Sequence, residues 1–159
     1  MTKILAAYYS WSPAGNTAHI AELIHKITGA DLYEIVPKKA YPADYTATAN
    51  QAKTEINQGV RPAVKNAFPD VSGYDIIFIG TPNWWSSPAP VVSTFVEHFE
   101  GFAGKTVIPF CSNGGGGFGH IESDIKKKCP AADVKKGFAA YEGSFDEKQI
   151  TSWLRTLDL

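Results

Sequence analysis

The sequence predicts an α/β protein, a three-layer, doubly wound sandwich built on a five-stranded parallel sheet. Five short runs of strand-forming residues alternate with segments whose apolar residues recur at helical spacing. The residues between successive strands are numerous enough for the crossover connections that parallel pairing requires. In such sheets ligands bind beyond the carboxyl ends of the strands, near the point where the strand order reverses. We therefore expect the informative loops to follow the first, third and fourth strands.

The pattern in the first half of the chain predicts two strands, a helix between them and a long connection to the third strand. Residues 4–9 are a continuous apolar run, typical of a central strand buried on both faces. The helix that follows is indicated by one apolar face, which consists of Ile20, Leu23, Ile24 and Ile27. Gly29 ends this helix, and residues 31–36 form the next strand. Residues 38–70 are expected to form a long, partly helical connection across a sheet edge, with a helix over residues 47–58.

The second half predicts three more strands. Residues 74–79 are the clearest strand, residues 81–90 a loop with three prolines, and residues 106–110 the fourth strand. The helix before the fourth strand has an apolar stripe of Val92, Phe95, Val96 and Phe99. A short helix over residues 120–128 precedes a last strand over residues 134–141. A capping box of Ser144 and Glu147 then predicts the start of a final helix. The apolar side of that helix consists of Ile150, Trp153, Leu154 and Leu157.

Composition and charge narrow the class of protein. The chain has 159 residues, of which 44% are apolar and 19% charged, so we expect one globular domain over residues 1–159. The formal charge of −1 gives no electrostatic reason to expect a nucleic acid partner. Cys111 and Cys129 are the only cysteines, which argues against a disulfide scaffold or a structural zinc site. Since no signal-peptide core or membrane-length apolar run is present, we expect a cytoplasmic protein without a membrane span.

The loop after the first strand has the chemistry of a phosphate site. Its polar residues stand immediately before a helix, whose N-terminus offers free N–H groups and the positive end of the helix dipole. The loop contains no Lys or Arg, and it lacks both the triphosphate-binding motif and the dinucleotide motif G-x-G-x-x-G. Its candidate donors are Ser10, Ser12, Asn16 and Thr17. A simpler interpretation, in which Ser and Asn only cap the helix, stays open.

Two further loops are expected at the same edge of the sheet. Trp84 and Trp85 are adjacent, so they cannot both face the core from an extended segment, and at least one is expected over a groove. Residues 112–119 contain five glycines, which suit a close approach of backbone to a ligand; a flexible connector is the alternative. Together the three loops predict a site for a planar, monophosphorylated cofactor.

On these residues the chain resembles the flavodoxin family. Ser10-Trp11-Ser12 followed by Gly15-Asn16-Thr17 is similar to the family's phosphate motif [ST]-x-[ST]-G-N-T, with Pro13 and Ala14 as two extra residues. Residues 80–85 resemble the second flavin loop, and residues 111–119 the third. The resemblance covers essentially the whole chain and is to the short-chain type. It implies bound FMN, a 2-1-3-4-5 strand order and one- or two-electron chemistry at the flavin.

The resemblance also implies roles for individual residues. The first loop would hold the phosphate, Trp84 and its neighbours would contact the ring, and the glycine segment would contact the pyrimidine edge through backbone N–H groups. Since the three loops contain no charged residue, we expect added negative charge on the flavin to be costly and its redox potential to be low. The predicted cofactor-binding residues are Ser10, Trp11, Ser12, Gly15, Asn16, Thr17, Pro82, Asn83, Trp84, Trp85, Ser112, Asn113, Gly114, Gly115 and Phe118. No metal ligand is predicted.

Two functions of different classes stay open. An FMN electron carrier that serves redox partner proteins is favoured. The alternative is an FMN-dependent oxidoreductase acting on NAD(P)H and quinone-type molecules, as a monomer or homodimer. The chain is near neutral, whereas electron-carrier flavodoxins are usually acidic, and the tryptophan pair resembles some FMN-dependent quinone reductases. In this alternative, Tyr45 or His120 of this chain could donate to a reduced acceptor. A ligand-binding module without redox chemistry is a third reading. A receiver domain is excluded because Gly80-Thr81 stands where it needs Asp.

A basic patch is formed by Lys126, Lys127 and Lys128 together with Lys135 and Lys136. A solvated helix face is one interpretation. The other is a docking surface for an acidic redox partner or for the phosphate of a pyridine nucleotide.

Overall fold

The computed structural model describes residues 2–159, in which strands and helices alternate as the sequence predicts. The strands are β1 (Ile4–Tyr8), β2 (Asp31–Glu34), β3 (Ile76–Trp84), β4 (Ser87–Pro88), β5 (Thr106–Asn113), β6 (Asp133–Val134) and β7 (Phe138–Tyr141). The helices are α1 (Asn16–Thr28), α2 (Tyr45–Gln58), α3 (Pro90–His98), α4 (Ile121–Lys128) and α5 (Glu147–Thr156). Within residues 2–159, none of the helices combines the length and the hydropathy needed to cross a membrane.

The sheet has the predicted α/β architecture. Its path is β2-β1-β3-β5-β6, and β7 also pairs with β5, so all the long strands are parallel. When β6 and β7 are taken as one interrupted strand, the order is the expected 2-1-3-4-5. The reversal of strand order lies between β1 and β3, and it places the loops that follow β1, β3 and β5 at one edge.

Alternate residues of the central strands face two different helix layers. Leu5 belongs to a core cluster that includes Phe95 of α3, whereas its neighbour Ala6 belongs to a cluster with Ile24 of α1 and Trp153 of α5. Each of these side chains is buried. A strand sequence that is apolar at every position is therefore explained by burial on both faces, as in other parallel sheets. The three-layer prediction is confirmed.

The predicted loop over residues 81–90 is wrong, because β3 continues to Trp84 and turns back through β4. Asn83 pairs with Pro88 and Trp84 with Ser87 in an antiparallel hairpin. Trp85 and Ser86 form the two-residue turn with φ of 57° and 65°. The prolines suggested a loop, but Pro88 lies on a two-residue edge strand, a position that tolerates a missing N–H.

The last strand is interrupted where a continuous strand over residues 134–141 is predicted. Val107 pairs with Val134 and Phe110 with Phe138, so three residues of this strand oppose two of β5, as in a β-bulge. Pro109 lies opposite the interruption and has no N–H to donate. The N–H of Gly137 donates instead to the Glu122 carboxylate at 2.9 Å.

The final helix begins two residues later than predicted. Its N-cap is Asp146, and Asp146 and Gln149 form a capping box; the pair Ser144 and Glu147 does not. A turn closed by a hydrogen bond from Ser144 N–H to the Tyr141 carbonyl occupies the intervening residues. The apolar side of the helix, Ile150, Trp153, Leu154 and Leu157, is buried as predicted.

Candidate functional site

A cavity of about 380 Å³ opens at the carboxyl edge of the sheet, where the predicted loops meet. This volume lies within the range of roughly 300–1,000 Å³ typical of small-molecule pockets. The predicted site residues that line it are Trp11, Ser12, Asn16, Thr17, Pro82, Asn83, Trp84, Trp85, Ser112, Asn113 and Gly114. Those that lie outside the lining are Ser10, Gly15, Gly115 and Phe118.

The N-terminus of α1 supplies one wall of the cavity. Gly15, at the N-cap, has a φ of 66° and provides no side chain to cap the helix. The Asn16 N–H donates to Ser12 Oγ and the Ala18 N–H to Ser10 Oγ, each at 3.3 Å. Each serine hydroxyl keeps its own proton, which it can donate to an anion. Ser10 therefore belongs to the helix N-terminus even though it does not line the cavity.

A buried pair of hydroxyls joins this wall to the end of β5. Thr17 Oγ1 and Ser112 Oγ lie 2.7 Å apart, and the two residues are 1% and 7% exposed. The hydrogen bond spans 95 residues of sequence, and its donor is set by the rotation of the two hydroxyls. It holds the first and third loops in a fixed relation at the base of the cavity.

An aromatic cluster supports the inner wall at Trp84. The Trp84 ring makes edge-to-face contacts with Tyr41, Tyr9 and Trp11 at centroid distances of 4.8, 5.6 and 6.3 Å. Trp11 is itself fixed by a hydrogen bond from its Nε1 to the Pro42 carbonyl at 3.0 Å. Edge-to-face packing is a favoured arrangement of aromatic rings, so Trp84 presents a rigid apolar surface to the cavity.

The two tyrosines behind Trp84 are neutral phenols. Burial, together with the nearby Glu55 carboxylate, raises the pKa of both Tyr9 and Tyr41 far above the ordinary value. The Tyr41 hydroxyl donates to Glu55 Oε1 at 2.7 Å. The inner wall therefore carries no charge from these phenols at physiological pH.

Trp85 differs from Trp84 in its environment. It is 51% exposed, and its Nε1 donates to the Ala49 carbonyl of α2 at 2.8 Å. Lys53 Nζ lies 4.9 Å from the centre of the same ring, a cation–π contact. Trp84 is thus part of the inner wall, and Trp85 forms part of the mouth.

The glycine segment is held by side-chain hydrogen bonds. Asn113 donates to the Ala140 carbonyl at 2.9 Å and accepts from the Gly115 N–H at 3.0 Å. Asn83 donates to the Gly117 carbonyl at 2.8 Å. Phe118 is partly buried against the core. The expected contact of this segment with the cavity is therefore made at its beginning, by residues 112–114.

Comparison with known proteins identifies the family. The family model described as flavodoxin matches residues 3–157. The chain belongs to the flavodoxin family. No curated protein sequence matches the chain.

Solved structures similar to this member of the family include proteins from two bacterial genera. A candidate flavoprotein from Bacteroides eggerthii has 34% identity and a TM-score of 0.87, with 100% of this chain and 99% of that chain covered. A flavoprotein from Lactobacillus acidophilus has 26% identity and a TM-score of 0.75, with 97% and 99% covered. The latter was solved in complex with FMN.

Four residues of this flavodoxin line the cavity although they were absent from the predicted set. Tyr45, Thr48 and Ala49 come from α2, and Glu142 follows β7. Tyr45 was expected only as a donor to an acceptor, and the small residues of α2 gave no separate signal. Glu142 could have been found, because any loop after a parallel strand reaches this edge. It is the one charged residue in the lining within residues 2–159, so the site is less neutral than the three loops suggested.

The basic patch of this flavodoxin lies away from the cavity. Asp133 pairs with Thr106, so the chain beside Lys135 is at the beginning of β5, whereas the cavity is at its end. Lys135 contacts Asp133 at 3.2 Å, and Lys128 contacts Glu97 at 2.9 Å. The patch therefore does not line the site.

His120 also lies outside the lining of the cavity. Its Nδ1 is 2.7 Å from Asp124 Oδ2, one helical turn further along α4. In the described part of the chain, no group of three His, Cys, Asp or Glu residues is placed to hold a metal ion.

Proposed function

We propose that this flavodoxin binds FMN in the cavity and acts as an electron carrier for redox partner proteins. The observation that carries the proposal is the meeting, in one cavity, of an uncharged helix N-terminus and a rigid aromatic wall. The first suits a phosphate and the second a flat ring. The 26% identical relative from Lactobacillus acidophilus, solved in complex with FMN, supports the same ligand.

The residues of the cavity fit the phosphate of FMN. The hydroxyls of Ser12 and Thr17 and the side-chain amide of Asn16 lie at the N-terminus of α1. The Asn16 N–H is bonded to Ser12 Oγ, which keeps its own proton to donate to an anion. A helix N-terminus binds an anion through these donors and the helix dipole, without a formal positive charge. The described lining contains neither Lys nor Arg, so neutral donors would carry the whole of phosphate recognition.

The remaining lining fits the flavin ring. Trp84 would contact the ring, and residues 112–114 would face its polar edge through backbone N–H groups. Bound FMN supplies one- or two-electron redox chemistry, and the protein contributes orientation, exclusion of water and electrostatics. Glu142 is the charged residue nearest to this chemistry in the described lining, and it opposes added negative charge in the cavity. We therefore retain the expectation of a redox potential below that of free FMN.

FMN binding is tested by titrating the FMN-free protein with FMN and with riboflavin, and following the quenching of flavin fluorescence. The variant Ser12→Ala removes one hydroxyl donor to a charged group, an interaction worth about 1.5–3 kcal/mol, so FMN should bind at least tenfold more weakly. Riboflavin has no phosphate, and its affinity should change by less than twofold. Ser123→Ala, on α4 and outside the lining, is the matched control.

The two titrations separate the outcomes. Failure of the wild-type protein to quench FMN would refute the proposed cofactor. An equal loss of FMN and riboflavin affinity in Ser12→Ala would refute the phosphate assignment and leave a general effect on the fold.

The oxidoreductase alternative is favoured by one observation, the exposed aromatic side chains at the mouth. Tyr45 is 75% exposed and Trp85 51% exposed, and both line the cavity. An enzyme needs such an open approach for a second substrate. Steady oxidation of NAD(P)H by the FMN-loaded protein in the presence of a quinone would favour this function over electron carriage.

A further inference from the structure

Two of the large aromatic side chains exposed to solvent lie at the mouth of the cavity. Within residues 2–159, the tyrosine and tryptophan side chains that are more than half exposed are Tyr45, Trp85 and Tyr141. Tyr45 and Trp85 line the cavity, and Tyr141 immediately precedes Glu142, which lines it too. Clustered apolar exposure of this kind marks binding surfaces, whereas single exposed apolar residues are ordinary.

The backbone that carries Trp85 is strained. Trp85 and Ser86 both have left-handed φ values, 57° and 65°, in the turn between β3 and β4. Two-residue hairpin turns of this type favour Asn-Gly, since a Cβ disfavours the left-handed region. A tryptophan at this position is costly for the turn, and about half of its surface stays exposed to solvent although the indole is bonded to α2. Strain of this kind is often found at functional sites.

The indole of Trp85 is also held in place, although it is exposed. Its Nε1 donates to the Ala49 carbonyl at 2.8 Å, and Lys53 Nζ lies 4.9 Å from the ring centre. Lys53 is absent from the lining of the cavity, whereas Trp85 is part of it. The ammonium group therefore lies over one face of the indole, while the indole itself is half exposed and lines the cavity. An exposed ring fixed in this way loses little conformational entropy when it binds.

We propose that Trp85, together with Tyr45, forms a second ring-binding platform at the mouth, and that its ligand is a planar conjugated anion. The inference rests on the FMN binding of the proposed function, because it assigns the inner wall at Trp84 to the flavin. A small-molecule ligand at the mouth corresponds to the oxidoreductase alternative. Aromatic side chains recognise flat rings by stacking. Lys53 adds a positive charge beside the platform, which favours an anion over a cation. The negative charge of the lining, Glu142, belongs to the segment after β7 and is bonded to Asn113, so the charge in contact with the Trp85 ring is the positive one of Lys53.

The test uses redox-inert probes, so that binding is measured without turnover. The FMN-loaded protein is titrated by calorimetry with naphthalene-2-sulfonate and with 2-naphthol, which share a ring system and differ in charge. Trp85→Ala should weaken both probes at least tenfold, and Trp85→Phe should recover most of that loss. Lys53→Gln should weaken the sulfonate more than the naphthol. Leu32→Ala removes an exposed apolar side chain of β2, outside the lining, and is the matched control.

FMN affinity is measured on the same variants. The proposal predicts that Trp85→Ala weakens probe binding at least tenfold more than it weakens FMN binding. Equal losses, or displacement of FMN by the probe, would overturn it and assign Trp85 to the flavin site. Absence of probe binding to the FMN-loaded protein would overturn it while leaving the proposed function intact. Failure of the wild-type protein to bind FMN would refute both the platform and the proposed function.

The molecular mass in solution tests whether a second copy of the chain, and not a small molecule, covers the platform. A wild-type dimer that dissociates in Trp85→Ala would mean that a second copy of the chain covers the platform, and would overturn a small-molecule site. An unchanged molecular mass in light scattering, together with the expected probe affinities, supports the platform.

Discussion

The buried hydrogen bond between Thr17 and Ser112 should stabilise the fold and the base of the cavity together. Their hydroxyl oxygens are 2.7 Å apart, and both residues are buried. Thr17→Val keeps the shape of the side chain but leaves the Ser112 hydroxyl buried without its partner. Such an unpaired buried group costs about 1–3 kcal/mol. Ser112→Ala leaves the Thr17 hydroxyl in the same state, so we expect a similar loss.

The double variant tests the reasoning. When both hydroxyls are removed, neither is left unpaired, so the double variant should lose less stability than the sum of the two single variants. Urea unfolding followed by tryptophan fluorescence measures this. With a urea m-value of about 2 kcal/mol/M, each single variant should lower the midpoint by roughly 0.5–1.5 M. Thr151→Val, on the exposed side of α5, is the control. Strictly additive losses would refute the inferred pairing.

Three further predictions concern the rest of the fold. Gly137→Ala should lower the free energy of unfolding by about 1–3 kcal/mol in a thermal melt, because a Cβ would overlap the Pro109 carbonyl oxygen. Asp146→Ala should cost about 0.5–2 kcal/mol, and the Gln149 amide, which loses its acceptor, should exchange faster with deuterium. Burial raises the pKa of Cys111 to about 12, so an aromatic disulfide reagent at pH 8 should label it only after unfolding. Since the unfolded thiol ionises first, the stability contributed by the buried Cys111 is present below about pH 9 and is lost as the pH rises toward 12.

The arrangement of the sheet could be predicted because burial on two faces leaves an unambiguous pattern. Residues 4–9 are apolar at every position, which an amphipathic surface element does not allow. Gly29 has a φ of 78°, a conformation that ends a helix and favours glycine, so the end of α1 was visible in the sequence. The phosphate loop could also be predicted locally. Four polar residues lie in the loop and the first turn of α1, whereas a helix cap needs only one.

Other features depend on contacts between distant residues, which local patterns do not contain. The hairpin at Trp84 forms although its turn residues are unfavourable, so tertiary contacts of Trp85 with α2 outweigh local preference. The break in the last strand depends on Pro109, which lies in another strand. The choice of Asp146 over Ser144 as the N-cap depends on how the chain turns after Tyr141.

The site was predicted best where it follows directly from a strand. Ser12, Asn16, Thr17 and residues 112–114 line the cavity because parallel strands end at the same edge. The contribution of α2 was missed, since the position of a helix in a long crossover depends on packing. Whether these residues contact FMN stays a prediction.

The shallow anchoring of α2 has a consequence for how this protein can change over evolutionary time. The helix has 14 residues and buries only Thr48 and Ala52, whereas the two cores are formed by the sheet and the other helices. Substitutions on the cavity side of α2 therefore alter one wall of the site and leave the buried framework intact. A lineage can therefore change what it recognises at this wall with little loss of stability, without substitutions in the wall formed by β3 and β5.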